Sequence, residues 1–149
     1  MEDKILANSQ LFVQFARETL GVNASYDAVG VRWLDEYIES QQGLPGETKV
    51  KLVNTMGSYF GECIRQTYGG SWTLDHETGS WGIRISDRLT VFPFAKVHKH
   101  FEGRDGDSVL GLFTAIPSML RPAPEAERVP EESPRDVSSP WWKFWNRRQ

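Results

Sequence analysis

Between Ile5 and Leu20 the apolar positions Ile5, Leu6, Leu11, Phe12, Phe15, Ala16 and Leu20 recur three and four apart, and Gly21 follows as a stop. That spacing lays a stripe on one helix face and predicts a helix over about 3–20. Ser25 or Asp27 can cap a second helix, in which Val31, Leu34, Tyr37 and Ile38 share a face with Trp33 at its edge, before Gly43, Leu44, Pro45 and Gly46 break it. A third helix is expected from about Glu47. It carries Val50, Val53, Met56, Tyr59, Phe60, Cys63, Ile64 and Thr67 at the same spacing and stops at Gly69 and Gly70.

After that glycine pair the period drops from 3.6 to 2. Ser71, Trp72, Thr73 and Leu74 alternate, as do Trp81, Gly82, Ile83, Arg84 and Ile85, and the turn residues 77–80 between them predict a hairpin. A third strand over 89–92 follows the short turn Ser86, Asp87, Arg88 and ends at Pro93, which has no N–H to give a ladder. Residues 94–101 read as a short helix with Val97 and Phe101 inward. Asp107 or Ser108 then caps a last helix bearing Val109, Leu112, Phe113 and Ile116 on one side. Three helices, three antiparallel strands and two short helices make an α+β fold rather than an alternating α/β one.

The pattern ends near residue 120. From Pro122 to Pro140 come five prolines, five acidic residues and two basic ones with almost no apolar content, too little to offset chain entropy. The expected organisation is one α+β domain over 1–120, a disordered Pro/Glu-rich linker over 121–140 and an aromatic-basic tail over 141–149. For the 149-residue chain the net charge of −3 lacks the cationic excess that holds phosphate backbones, so nucleic acid is not an expected partner. The single cysteine permits neither an internal disulfide nor a thiolate metal cage. With an acidic start and no apolar run near the ~20 residues that span a bilayer, a cytoplasmic protein is expected.

Candidate chemistry is sparse. Cys63 lies mid-helix on the apolar stripe, where a free cysteine packs as a small hydrophobe; a reactive thiol needs a helix N-terminus or a cationic neighbour. His98 and His100 diverge by about 200° on a helix, so they do not share a metal, and His76 between Asp75 and Glu77 reads as a solvated turn. No cofactor or metal is expected. Glu62 stands between Gly57, Gly61 and the pair Arg65 and Gln66, three and four residues on. Either it pairs locally beside a close helix contact, or it is buried with a raised pKa and could serve an unrecognised catalytic site.

The runs Gly57-Ser58-Tyr59-Phe60-Gly61-Glu62, Gly69-Gly70-Ser71-Trp72 and Pro93-Phe94-Ala95-Lys96-Val97-His98-Lys99, followed by Asp107-Ser108, resemble the G-x-Y-x-G-E, G-G-x-W, P-F-x-K-V-x-K and D-S text of a group of small, mostly bacterial domains of unknown function. The likeness spans about residues 31–116. It implies no enzymatic activity to carry over; some members of the group look like accessory or immunity-type proteins, which implies protein binding. On this pattern Gly69 and Gly70 turn the third helix into the sheet and Trp72 fills the space beneath. Lys96 and Lys99 are its polar members without an evident packing role.

The tail adds a different signal. Trp141, Trp142, Phe144 and Trp145 crowd into five residues beside Lys143, Arg147 and Arg148. Side chains that each bury ~150–250 Å² point to a binding role, and aromatic anchors with arginines suit a groove on another protein. An anionic membrane surface is the alternative target, though so short a segment gives only a weak anchor. The domain's own surface is a third.

Overall fold

The computed structural model describes residues 1–103 and 106–121. Five helices and one sheet follow in the order α1 Glu2–Leu20, α2 Ala28–Ser40, α3 Gly46–Tyr68, β1 Ser71–Asp75, β2 Ser80–Ser86, β3 Leu89–Val91, α4 Pro93–Phe101 and α5 Val109–Leu120. The fold is α+β. From residue 122 on, the expected linker and tail lie outside the described residues.

Local chemistry sets the boundaries. Gly21 closes α1 in the left-handed region at φ 69°, and Asp27 caps α2 by accepting the Gly30 N–H at 3.1 Å. Ser108 caps α5 through the Gly111 N–H at 2.9 Å. Between α3 and β1, Gly69 and Gly70 sit at φ 90° and 104°, which side chains with a Cβ rarely adopt, so the chain reverses there only because both residues are glycine. Pro117 lies inside α5 and leaves the Phe113 carbonyl without its helical N–H. The Tyr68 hydroxyl donates to that carbonyl at 2.9 Å, which pins the end of α3 to α5.

The antiparallel sheet has the order β1-β2-β3, and its register aligns Trp72 with Ile83 and Ile83 with Val91. These three are buried and form a row across the inner face, whereas Arg84 and Thr90 on the alternate row are exposed. The inner row meets α3 and α4, α1 packs on α3, and α5 packs on α2. Met56, Tyr59, Phe60, Cys63 and Ile64 make α3 the central element of a single core.

The stripe expected on α1 is narrower than its apolar content. Ile5, Ser9, Phe12 and Ala16 are buried, while Leu6, Leu11 and Leu20 are exposed, as is Val50 at the start of α3. Seven apolar residues spread over too wide an arc to face one neighbour. Ser9 takes an inward position because its hydroxyl hydrogen-bonds the Tyr26 hydroxyl at 2.8 Å.

Candidate functional site

Of the residues singled out in sequence, Glu62 and His100 sit in two buried polar joints, and Lys96 and Lys99 border one open groove. The first joint is built on α3. Gly57 and Gly61 leave its face bare, and a methyl group at either position would overlap the Phe94 ring or the Trp72 indole respectively. The expected close approach at these glycines is therefore made by rings from α4 and β1, with the Phe94 backbone close behind. The two rings pack together with centroids 5.7 Å apart.

Glu62, next in sequence, is buried at 2% exposure, and both of its carboxylate oxygens are occupied. Oε2 accepts from Trp72 Nε1 at 2.8 Å and Arg65 Nε at 3.0 Å; Oε1 accepts from Arg65 Nη2 at 2.9 Å and Gln66 Nε2 at 3.4 Å. Burial alone would push this carboxyl upward, but the Arg65, Trp72 and Gln66 donors together with the guanidinium charge outweigh it and hold it below its ordinary value. The alternative of a raised pKa is thus overturned: charge-assisted donors reach the group, and desolvation loses. A shallow cavity of about 230 Å³ under Glu2, Asp3 and Leu6 opens onto this cluster. A carboxylate fixed as an anion by four donors has no proton to give and no free oxygen aimed at a substrate.

One turn further in, the Ser25 carbonyl accepts from the Tyr59 hydroxyl and faces Cys63 Sγ at 3.8 Å. Burial, the main cause, pushes the Cys63 thiol up to about 12, so it stays protonated and packs as an apolar group.

The second joint joins α2, α4 and α5. His100, also 2% exposed, places Nε2 at 2.5 Å from Glu39 Oε2, and its Nδ1 accepts the Val109 N–H at 3.3 Å. Asp35 accepts the neighbouring Leu110 N–H at 3.0 Å. With Ser108 on Gly111, the first amides of α5 are each given an acceptor. Asp35, Glu39 and His100 hold their ligand-type atoms within 4.8 Å of one another, a grouping that sequence reasoning missed. The donor set does not suit a cation. Coordination through Nε2 needs the ring proton on Nδ1, and that position faces a backbone N–H. The group is a helix cap with an outer carboxylate.

Lys96 and Lys99 part company. Lys96 pairs with Asp107 at 2.9 Å, which ties α4 to the residue before the α5 cap and gives Lys96 the packing role it lacked in sequence. Lys99 is exposed and forms no ion pair among the described residues. It borders a groove of about 450 Å³ between the sheet, α4 and α5. His98 pairs with Glu102 at 3.0 Å on the surface, and His76 is exposed in the hairpin turn. Trp141, Trp142, Lys143, Phe144, Trp145, Arg147 and Arg148 lie outside the described residues.

Compared with protein-family models, with curated proteins and with solved structures, the chain matches none of them. Among the described residues no helix is long and apolar enough to cross a membrane.

Proposed function

We propose that the chain is a non-enzymatic protein-interaction module, in which a folded α+β domain carries a tethered recognition peptide at residues 141–148. The observation that carries this reading is the density of that peptide: three tryptophans, a phenylalanine and three basic residues within eight positions, behind a proline-rich acidic tether. The domain supports it by where its ionisable groups are spent. Glu62 ties sheet to helix, His100 caps a helix, Lys96 holds a loop and Cys63 packs in the core. Their chemistry is accounted for by architecture.

The test is affinity capture with the full chain against a Trp141→Ala/Trp142→Ala/Trp145→Ala variant, followed by purification of whatever protein the first retains. A protein that binds the full chain directly and binds the variant at least ~10-fold more weakly supports the reading. Equal binding by both would remove the peptide from the mechanism. The aromatic-basic alternation also fits an anionic surface, and vesicles separate the two. Blue-shifted tryptophan emission on phosphatidylserine vesicles that fades with salt and with loss of Lys143, Arg147 and Arg148 would make the target a membrane.

A further inference from the structure

An open groove borders Lys99 between the sheet, α4 and α5. Its lining is largely apolar, with Leu89, Val91, Phe92, Leu112 and Met119, and its volume of about 450 Å³ falls within the ~300–1,000 Å³ of ligand sites. Met119 is 49% exposed there, an apolar side chain left at the lip of an open site. Charge of both signs lines it: Asp75 on the hairpin, with Glu77 exposed in the adjoining turn, and on α4 Lys99 together with Lys96, which is paired with Asp107.

The chain outside the described residues carries complementary groups. It leaves α5 at Arg121, two residues past the groove wall at Met119. Acidic residues come first, ending with Glu131, Glu132 and Asp136, then the aromatic cluster from Trp141 to Trp145, then Arg147 and Arg148. Twenty residues can span at most ~70 Å, enough for the cluster to return to the groove, and the tether makes that encounter intramolecular, which populates a contact too weak to form between separate molecules.

We propose that the aromatic segment 141–145 seats in this groove of its own domain, with the acidic tether passing Lys99 and Arg147 and Arg148 reaching Asp75 and Glu77. The groove is then a resting site for the recognition peptide, and an outside partner competes with it. This goes beyond the binding role proposed above and stands or falls without any partner present.

Fluorine NMR of the full chain labelled with 5-fluorotryptophan tests it, with the six tryptophan resonances assigned by single Trp→Phe variants. The expected result is that at least one of Trp141, Trp142 and Trp145 is displaced from its position in strong denaturant, and stays so from about 10 to 500 µM protein. Met119→Asp should return it to the denatured position, and Lys99→Glu should move it part of the way, while Trp33 and Trp72 stay in place as reporters of the fold. If Met119→Asp itself unfolds the domain, those reporters collapse and Lys99→Glu decides alone. Three tail resonances at their denatured positions in the unsubstituted chain would overturn the proposal. So would a displaced resonance that ignores the deciding substitution, or one that returns on dilution, since the last places the tail in a second copy.

Discussion

Glu62 and His100 are equally buried, yet the protein treats them in opposite ways. Glu62 keeps its charge inside because a two-pronged guanidinium and an indole N–H meet it, and Arg65, 39% exposed, carries the compensating charge to the surface. His100 meets a backbone amide on one nitrogen and a largely exposed carboxylate on the other, so it serves as an acceptor for the start of α5. The first joint fastens a sheet to a helix through an ion; the second fastens two helices to a third through a ring lone pair. Burial of an ionisable side chain therefore does not by itself mark a reactive site. The partners that meet each atom decide what it does.

The largest effect is expected where the two kinds of bond coincide. Trp72→Ala removes the ring that covers Gly61 and the N–H that meets Glu62, and should cost ~3–5 kcal/mol of unfolding free energy in a denaturant titration. A loss below about 1 kcal/mol would show that the sheet is not keyed to α3 through this residue. Gly61→Ala approaches the same contact from the other side. Its methyl group would fall 2.1 Å from the Trp72 ring and 3.2 Å from Pro93 Cγ, and a cost of ~1–3 kcal/mol is expected from overpacking.

Glu62→Gln isolates the charge. The carboxamide still accepts from Trp72, and Arg65 remains partly in water, so the loss should be modest, ~1–2 kcal/mol at neutral pH. The sign with pH follows from the depressed carboxyl. The folded state binds that proton less readily than the unfolded chain, so the stabilisation is present above the ordinary glutamate pKa and is lost as pH falls through the lower folded-state value. The gap between the native chain and Glu62→Gln should therefore shrink on acidification, as read from denaturant midpoints across a pH series. A gap constant from neutral to strongly acid pH would mean that Glu62 does not act through its charge.

The contrast between the joints also accounts for what could be seen in the sequence. Helical and alternating periods predicted all eight elements and the α+β class, because those periods follow from backbone geometry. The Arg65 and Gln66 partners of Glu62 were visible as neighbours at three and four residues. The Trp72 bond, ten residues away across a glycine corner, was not visible: the motif gave Trp72 a packing role alone, and the outcome of the competition between these donors and desolvation could not be read either. His100 was opaque, since Glu39 is 61 residues distant and the Val109 N–H comes back to it across the turn between α4 and α5. Nor could the pattern on α1 say which of its apolar residues would be left outside. That depends on the width of the α3 surface and on the bond that lets Ser9 inside.

The smallest expected effect sharpens the comparison most, because it separates the two nitrogens of one ring. In His100→Asn the side-chain oxygen falls near the place of Nδ1 and can still accept the Val109 N–H, while the Glu39 contact is lost. In His100→Gln the longer amide reaches toward Glu39 and leaves the Val109 amide buried without its acceptor. An unmet buried N–H costs ~1–3 kcal/mol, whereas a hydrogen bond to an exposed carboxylate is replaced by water at little loss. Asparagine should thus be the milder substitution by about 1 kcal/mol, although glutamine is the better helix former at a position inside α4. Equilibrium unfolding of the two variants decides this, and hydrogen exchange at Val109 should be faster in the glutamine variant. If glutamine were the milder change, the Glu39 side of the ring would be the one that holds the joint, and His100 would be tied to α2 rather than to the start of α5.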